Sequence, residues 1–192
     1  MPPKIKITKD NILNTGVELL RQEGREAINA RDLAKRLGCS VQPIFRAFES
    51  MEALKDSIYK RVEEVYNTKM LNALQSENGG FLEMGLTYIE FAKTEPNFFK
   101  LLFMSDIFHQ KSTENIAGST MGDDETIEEI CVMTGLSQKK AQKLYTGIWF
   151  TTHGIASLLA TNSCEYSKKE TRKMLIHVFQ GLVYSIKKEE EE

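Results

Sequence analysis

Proline is scarce in this chain, with 4 in 192 residues, and glycine is modest at 12. So few breakers leave little room for the many short strands and tight turns of a sandwich or barrel; they suit long helices. Cysteine is rarer still. Cys39, Cys131 and Cys164 are an odd number at wide spacing, which argues against a disulfide framework and for a reducing, cytoplasmic compartment. No apolar run approaches the roughly 20 residues needed to cross a bilayer, so no membrane partner is expected. The opening Met1-Pro2-Pro3-Lys4 leads into polar sequence and does not read as a secretory signal. CxxC, HExxH, a nucleophile elbow and a glycine-rich phosphate loop are all missing. His109, His153 and His177 share no ligand spacing with one another or with Cys164. The chain is therefore read as a non-enzyme, with no cofactor and no metal.

What is present is a core-forming fraction of apolar residues, 41%, and an uneven distribution of charge. The net charge of −2 says little alone. Residues 1–48, however, hold nine Lys or Arg against five Asp or Glu, and the remainder holds sixteen against twenty-two. A basic head on an acidic body is the asymmetry expected when one end meets phosphate.

Helical periodicity runs almost throughout. The first helix is expected over Thr8 to Glu23, with Ile12, Gly16, Leu19 and Leu20 on one face and Gly24 as its stop. A short second helix follows Asn29, a suitable N-cap, and ends at Gly38. A third lies near Pro43 to Phe48. Ser50 opens a long fourth, Met51 to Gln75. Beyond the Gly79-Gly80 break come Phe81 to Thr94, stopped by Pro96, and Asn97 to about Ile107. A polar segment, His109 to Gly122, reads as a loop. Asp123 or Asp124 to Thr134, Ser137 to about Asn162, and Ser167 to Lys188 complete the pattern. The reading is all-α, with about nine helices: a basic head over residues 1–50, linked through helix 51–75, and a helical body over residues 51–192.

Asn29 to Phe48 has the dimensions of a helix-turn-helix, whose second helix enters the major groove. Leu33, Ala34, Leu37, Ile44 and Phe48 supply its core; Arg31, Lys35, Arg36, Gln42 and Arg46 stay outside. Because proline disfavours the α region in the residue before it, Gln42 is expected at the N-cap and Pro43 at the first helical position. Glutamine there can read adenine.

These residues resemble the TetR family of regulators. Family members show Thr-x-x-x-Ile-Ala, Gly-Val-Ser, Tyr-x-x-Phe and Ser-Lys-Glu-x-Leu in order. This chain reads Asn29-x-x-x-Leu33-Ala34, Gly38-Cys39-Ser40, Phe45-x-x-Phe48 and Ser50-Met51-Glu52-x-Leu54. Trp149-x-x-x-His153-Gly154 is similar to the Trp-His-Gly signature of one class of C-terminal domains in the family. The resemblance implies double-stranded DNA as partner, contacted by Lys6, Lys9, Asn29, Arg31, Ser40, Val41, Gln42, Pro43, Phe45 and Arg46. Two departures stand out. Phe45 replaces a tyrosine that touches phosphate, and Met51 replaces a lysine that does the same. Lys4, Lys6, Lys9, Arg31 and Arg46 can compensate. Fewer phosphate contacts predict a shallower salt dependence, by about 0.9 in slope per contact.

A single helix-turn-helix reads few bases, so a homodimer on an inverted repeat is expected. The last two helices supply the partner face, through Ile148, Ile155, Leu159, Leu175, Val178, Phe179 and Leu182. The aromatic middle, Tyr88, Phe91, Phe99, Leu102 and Phe103 with Trp149 and His153, is read either as a pocket for an apolar or aromatic effector or as ordinary core. Repression released by that effector is the default reading. A helical protein-interaction module that has lost specific DNA binding is the alternative.

Overall fold

The computed structural model describes residues 7–77, 80–104, 123–163 and 166–189. Among them lie nine α-helices and no strand: α1 Lys9–Glu23, α2 Ala30–Leu37, α3 Gln42–Ala47, α4 Met51–Gln75, α5 Phe81–Thr94, α6 Pro96–Phe103, α7 Asp123–Thr134, α8 Gln138–Ala160 and α9 Lys168–Lys188. The fold is all-α. Lys4, Lys6, Phe108, His109, Cys164 and the 109–122 segment fall outside the described residues. No described helix is long and apolar enough to cross a membrane.

Local chemistry sets the helix ends. Thr8 and Asn11 form a reciprocal capping box at the start of α1, and Ser167 and Glu170 do the same for α9. Ser50 Oγ accepts the Ala53 amide at 3.0 Å and so caps α4. Ser137 has the extended backbone of an N-cap, but its hydroxyl makes no capping bond; its carbonyl takes the Lys140 and Ala141 amides instead. α6 ends at Phe103, earlier than the sequence reading placed it.

The chain divides into two compact units. The first runs to Val65 and takes back the segment from Glu95 through α6; the second comprises Tyr66–Thr94 and, among the described residues, α7 to α9. α4 contributes residues to both.

In the first unit α1 is the hub, packed by α2, α3 and α6. Ile12, Leu19, Leu20, Leu33, Ile44, Phe48, Leu54 and Ile58 are buried. Gly16 lets α1 and α4 approach closely, since a Cβ there would lie 2.6 Å from Ile58 Cδ1. α6 is fixed to the end of α1 by a compact set of contacts. Asn97 Nδ2 donates to the Arg21 carbonyl at 2.9 Å, satisfying a group the helix end leaves open. Arg21 Nε reaches Glu95 at 3.0 Å, and its guanidinium lies 4.7 Å from the centre of the Phe98 ring. Phe98 and Phe99 are wholly buried.

In the second unit α8 is central, flanked by α5, α7 and α9. Phe81, Ile127, Ile130, Leu144, Tyr145, Ile148 and Ile186 form its core, with Trp149, Val178, Phe179 and Leu182 partly buried against it. Helix spacing is tight along α8: a Cβ on Gly147 would meet Leu182 Cδ1 at 2.9 Å.

Candidate nucleic-acid interface

The head is assembled from caps and a turn. Asn29 Oδ1 accepts the amides of Arg31 and Asp32 at 3.1 and 3.0 Å, while its Nδ2 donates to Asp32 Oδ2 at 2.7 Å and to the Ala27 carbonyl at 3.3 Å. The side chain is thus spent on fixing the start of α2, and what it offers outward is the positive end of that helix, beside exposed Arg31. α2 stops because Gly38 adopts φ +63°, where side chains are strained. The Gly38 and Cys39 amides turn back to the Lys35 and Ala34 carbonyls, a Schellman arrangement.

The structure corrects the expected start of α3. Val41, not Gln42, is the N-cap residue, and Gln42 is the first helical residue with Pro43 second. The first turn closes on the Val41 carbonyl, which takes the Ile44 amide at 3.1 Å and the Phe45 amide at 3.4 Å. Pro43 costs nothing there, because the amide it lacks would have no partner in the first turn. The pre-proline preference is a bias, and closing this turn outweighs it.

Ile44 and Phe48 anchor α3 in the core, while Ser40, Val41, Gln42, Phe45 and Arg46 are exposed and Pro43 is half-buried. Those five exposed residues, with Arg31 and Lys35 exposed on α2, offer a carboxamide, a hydroxyl, apolar surface and cationic groups. Lys9 is held over the Phe48 ring, its Nζ 5.0 Å from the ring centre. Arg36, which the sequence leaves outside, is engaged by Gln22 at 2.7 Å and by Glu23. Met51 is half-buried.

The residues read as a pocket are distributed over both units. Phe99, Leu102 and Phe103 belong to α6 in the first. Tyr88, Phe91, Trp149 and His153 belong to the second. There Trp149 and His153 stack at 4.8 Å between ring centres, Tyr88 Oη is hydrogen-bonded to His153 Nδ1 at 2.9 Å, and the buried Phe91 ring meets Tyr66 edge-on at 5.5 Å. Tyr88 and Trp149 line a void of only about 40 Å³. A larger cavity, about 300 Å³, lies between α5, α7, α8 and α9, walled by Phe81, Met133, Ile148, Leu175 and Phe179. The sequence reading missed it as a cavity; Ile148, Leu175 and Phe179 carried the signal, but their periodicity was equally that of a partner face. Its polar rim includes Glu129, whose Oε1 accepts the Phe81 amide at 3.2 Å.

Burial lowers the pKa of His153 and raises that of Tyr88, so both are neutral near pH 7. On acidification the unfolded chain protonates its histidine first, near pH 6.5. Stability contributed by the neutral ring is therefore present above that pH and lost as pH falls toward the lower folded value. Thermal melts at pH 7.5 and 5.0 are expected to show a drop that His153→Gln reduces. An equal drop in both proteins would remove His153 from that role.

The same head, with its order of helices and turn, is found in known proteins. Residues 12–58 match the family of bacterial regulatory proteins of tetR type. Over 174 residues the chain is 21% identical to the uncharacterized HTH-type transcriptional regulator YobS of Bacillus subtilis (strain 168), covering 86% of this chain and 85% of the other. A Pseudomonas aeruginosa PAO1 crystal structure, assigned to the transcriptional regulators, superposes with a TM-score of 0.64 at 12% identity over 92% of this chain and 90% of the other. Residues 12–58 thus carry a helix-turn-helix of the kind found in bacterial regulatory proteins of the tetR family.

Proposed function

We propose that the protein is a homodimeric repressor that occludes an inverted-repeat operator and is released by a small, largely apolar effector. The observation that carries sequence-specific binding is α3. It is anchored by Ile44 and Phe48 and presents Gln42, Phe45 and Arg46 outward. Gln42 is suited to adenine, Arg46 to guanine or phosphate, and the α2 start with Arg31 to the backbone. Lys9, the first residue of α1, would add a backbone contact, and so would Lys6.

The partner face follows from what one chain leaves uncovered. Ile148, Ile155, Leu159 and Leu175 are buried inside the subunit, and Val178, Phe179 and Leu182 are half-buried. Phe150, Gly154 and Leu158 on α8, and His177, Gly181, Tyr184 and Ser185 on α9, remain exposed. They recur at helical spacing, so each helix carries one exposed stripe. Among the described residues, apart from the neighbouring turns of its own helix, nothing comes within 4 Å of a Cβ at Gly154 or Gly181. The chain's own packing therefore does not call for glycine there, whereas close approach of a second copy does.

The effector reading rests on the cavity of about 300 Å³ in the second unit, mostly apolar, at the lower end of small-molecule sites. Because α4 has residues in both units, a ligand favouring one conformation of the second biases which head arrangements are populated.

Selection of bound sites from a random DNA pool at a stated salt concentration is expected to return an inverted repeat with half-site centres about 34–36 Å apart. Recovery of no enriched sequence, from protein shown to be folded, would favour the protein-interaction module instead.

A further inference from the structure

We infer that Val41 and Phe45 read thymine methyl groups, so that one A·T pair or two successive ones of the operator half-site face α3. The inference rests on the DNA-binding reading above.

Most of the recognition surface is polar, yet two apolar side chains stand out on it. Val41 is 37% exposed and Phe45 49% exposed. They are four residues apart, which on a helix places them on one face, one turn above the other. The apolar residues of α3 that the fold requires are others: Ile44 is 1% exposed and Phe48 4%. Val41 and Phe45 are therefore not spent on the core of the head, and leaving a phenyl ring half in water is unfavourable unless something covers it.

The flanking side chains narrow the choice of cover. Gln42 and Arg46 each follow one of the apolar pair directly, and both are exposed. A carboxamide and a guanidinium interleaved with apolar surface do not suit a greasy partner, but they suit base edges. In the major groove the thymine 5-methyl is the apolar group that base edges display. A phenylalanine ring has no hydrogen to donate to a phosphate oxygen, so backbone contact does not account for it. Glutamine beside it is matched to adenine, and adenine brings thymine on the opposite strand. One A·T pair or two successive ones can thus satisfy Gln42 by hydrogen bonds and Val41 with Phe45 by methyl contact.

The test uses the full-length protein and the duplex recovered by pool selection, with deoxyuridine substituted for each half-site thymidine in turn. Uracil keeps every hydrogen-bonding group of thymine and lacks only the methyl. At one or two positions per half-site the dissociation constant is expected to rise about three- to fivefold, the loss associated with one buried methyl. In Phe45→Ala the parent DNA binds more weakly, and the uracil effect at the same position falls below twofold. Phe45→Tyr, which keeps the ring, retains the uracil effect. The DNA substitution needs no protein variant, so the test stands even if Phe45→Ala folds poorly. Overturning results are a half-site without thymine, uracil tolerated everywhere, or a Phe45→Ala loss that is the same on thymine and uracil duplexes. A pool that yields no enriched sequence would overturn the DNA-binding reading together with this one, whereas an enriched, methyl-insensitive site would overturn this one alone.

Discussion

Phe98→Ala is expected to destabilise the DNA-binding head by about 3–5 kcal/mol and to abolish operator binding at 37 °C, although residue 98 lies far along the chain from the helix-turn-helix. The head is not self-contained at Phe48: α6 belongs to its unit. Phe98 is wholly buried there, beneath the Arg21 guanidinium. Two other contacts join the same helices, but they are smaller. The Arg21–Glu95 pair has side chains 37% and 20% exposed, and partly exposed pairs contribute about 0–1 kcal/mol. The Asn97 bond to the Arg21 carbonyl contributes about 1 kcal/mol. Burial of the ring exceeds both, and truncating it leaves a cavity that rigid helices on either side cannot readily close. Denaturant titration followed by circular dichroism, with the exposed Lys100→Ala as a control expected to stay within about 0.5 kcal/mol, measures the effect. A Phe98→Ala midpoint indistinguishable from the parent would mean that α6 is not an essential part of the head.

That dependence marks the boundary of what the sequence could disclose. Punctuation placed the elements well: Ser50, the Gly80 break and Pro96 delimit α4 and α5 at Met51–Gln75 and Phe81–Thr94. The helix-turn-helix core was legible too, because Leu33, Ala34, Ile44 and Phe48 fall at helical spacing on either side of a glycine and all four are buried. The start of α3 slipped by one residue because a local preference of Gln42 competes with closure of the whole first turn on Val41. The assignment of α6 was not legible. The run Phe98, Phe99, Leu102 states that a helix has an apolar face, but not which neighbour covers it. That is decided by Asn97 and Arg21, which meet across 76 positions. Periodicity has the same limit on α8. Apolar residues occur on two faces, and only tertiary packing distinguishes Ile148, turned into the subunit, from Phe150 and Leu158, left outside.

Gly154→Gln combined with Gly181→Gln separates the two accounts of that outside face, because they predict opposite signs. Both glycines sit within helices, in α8 and α9, with open space around them. In a protein that works as a single chain, glutamine at an exposed helix interior improves on glycine by roughly 0.5–0.7 kcal/mol per site, so the variant should melt higher and otherwise be unchanged. In a homodimer joined through the Phe150–Leu158 and Gly181–Tyr184 stripes, the same side chains hold apart helices that must meet closely. The variant is then expected to elute as a monomer at concentrations where the parent is a dimer. Its affinity for a two-half-site operator should fall by about 10²–10⁴, since each head now binds without the effective concentration supplied by its twin. Binding to an isolated half-site, weak in both proteins, should be unaltered, because neither substitution touches α2 or α3. Sedimentation equilibrium and titration of one- and two-half-site duplexes together make the distinction. A variant that melts higher, stays dimeric and binds the full operator undiminished would place the partner face elsewhere on the molecule.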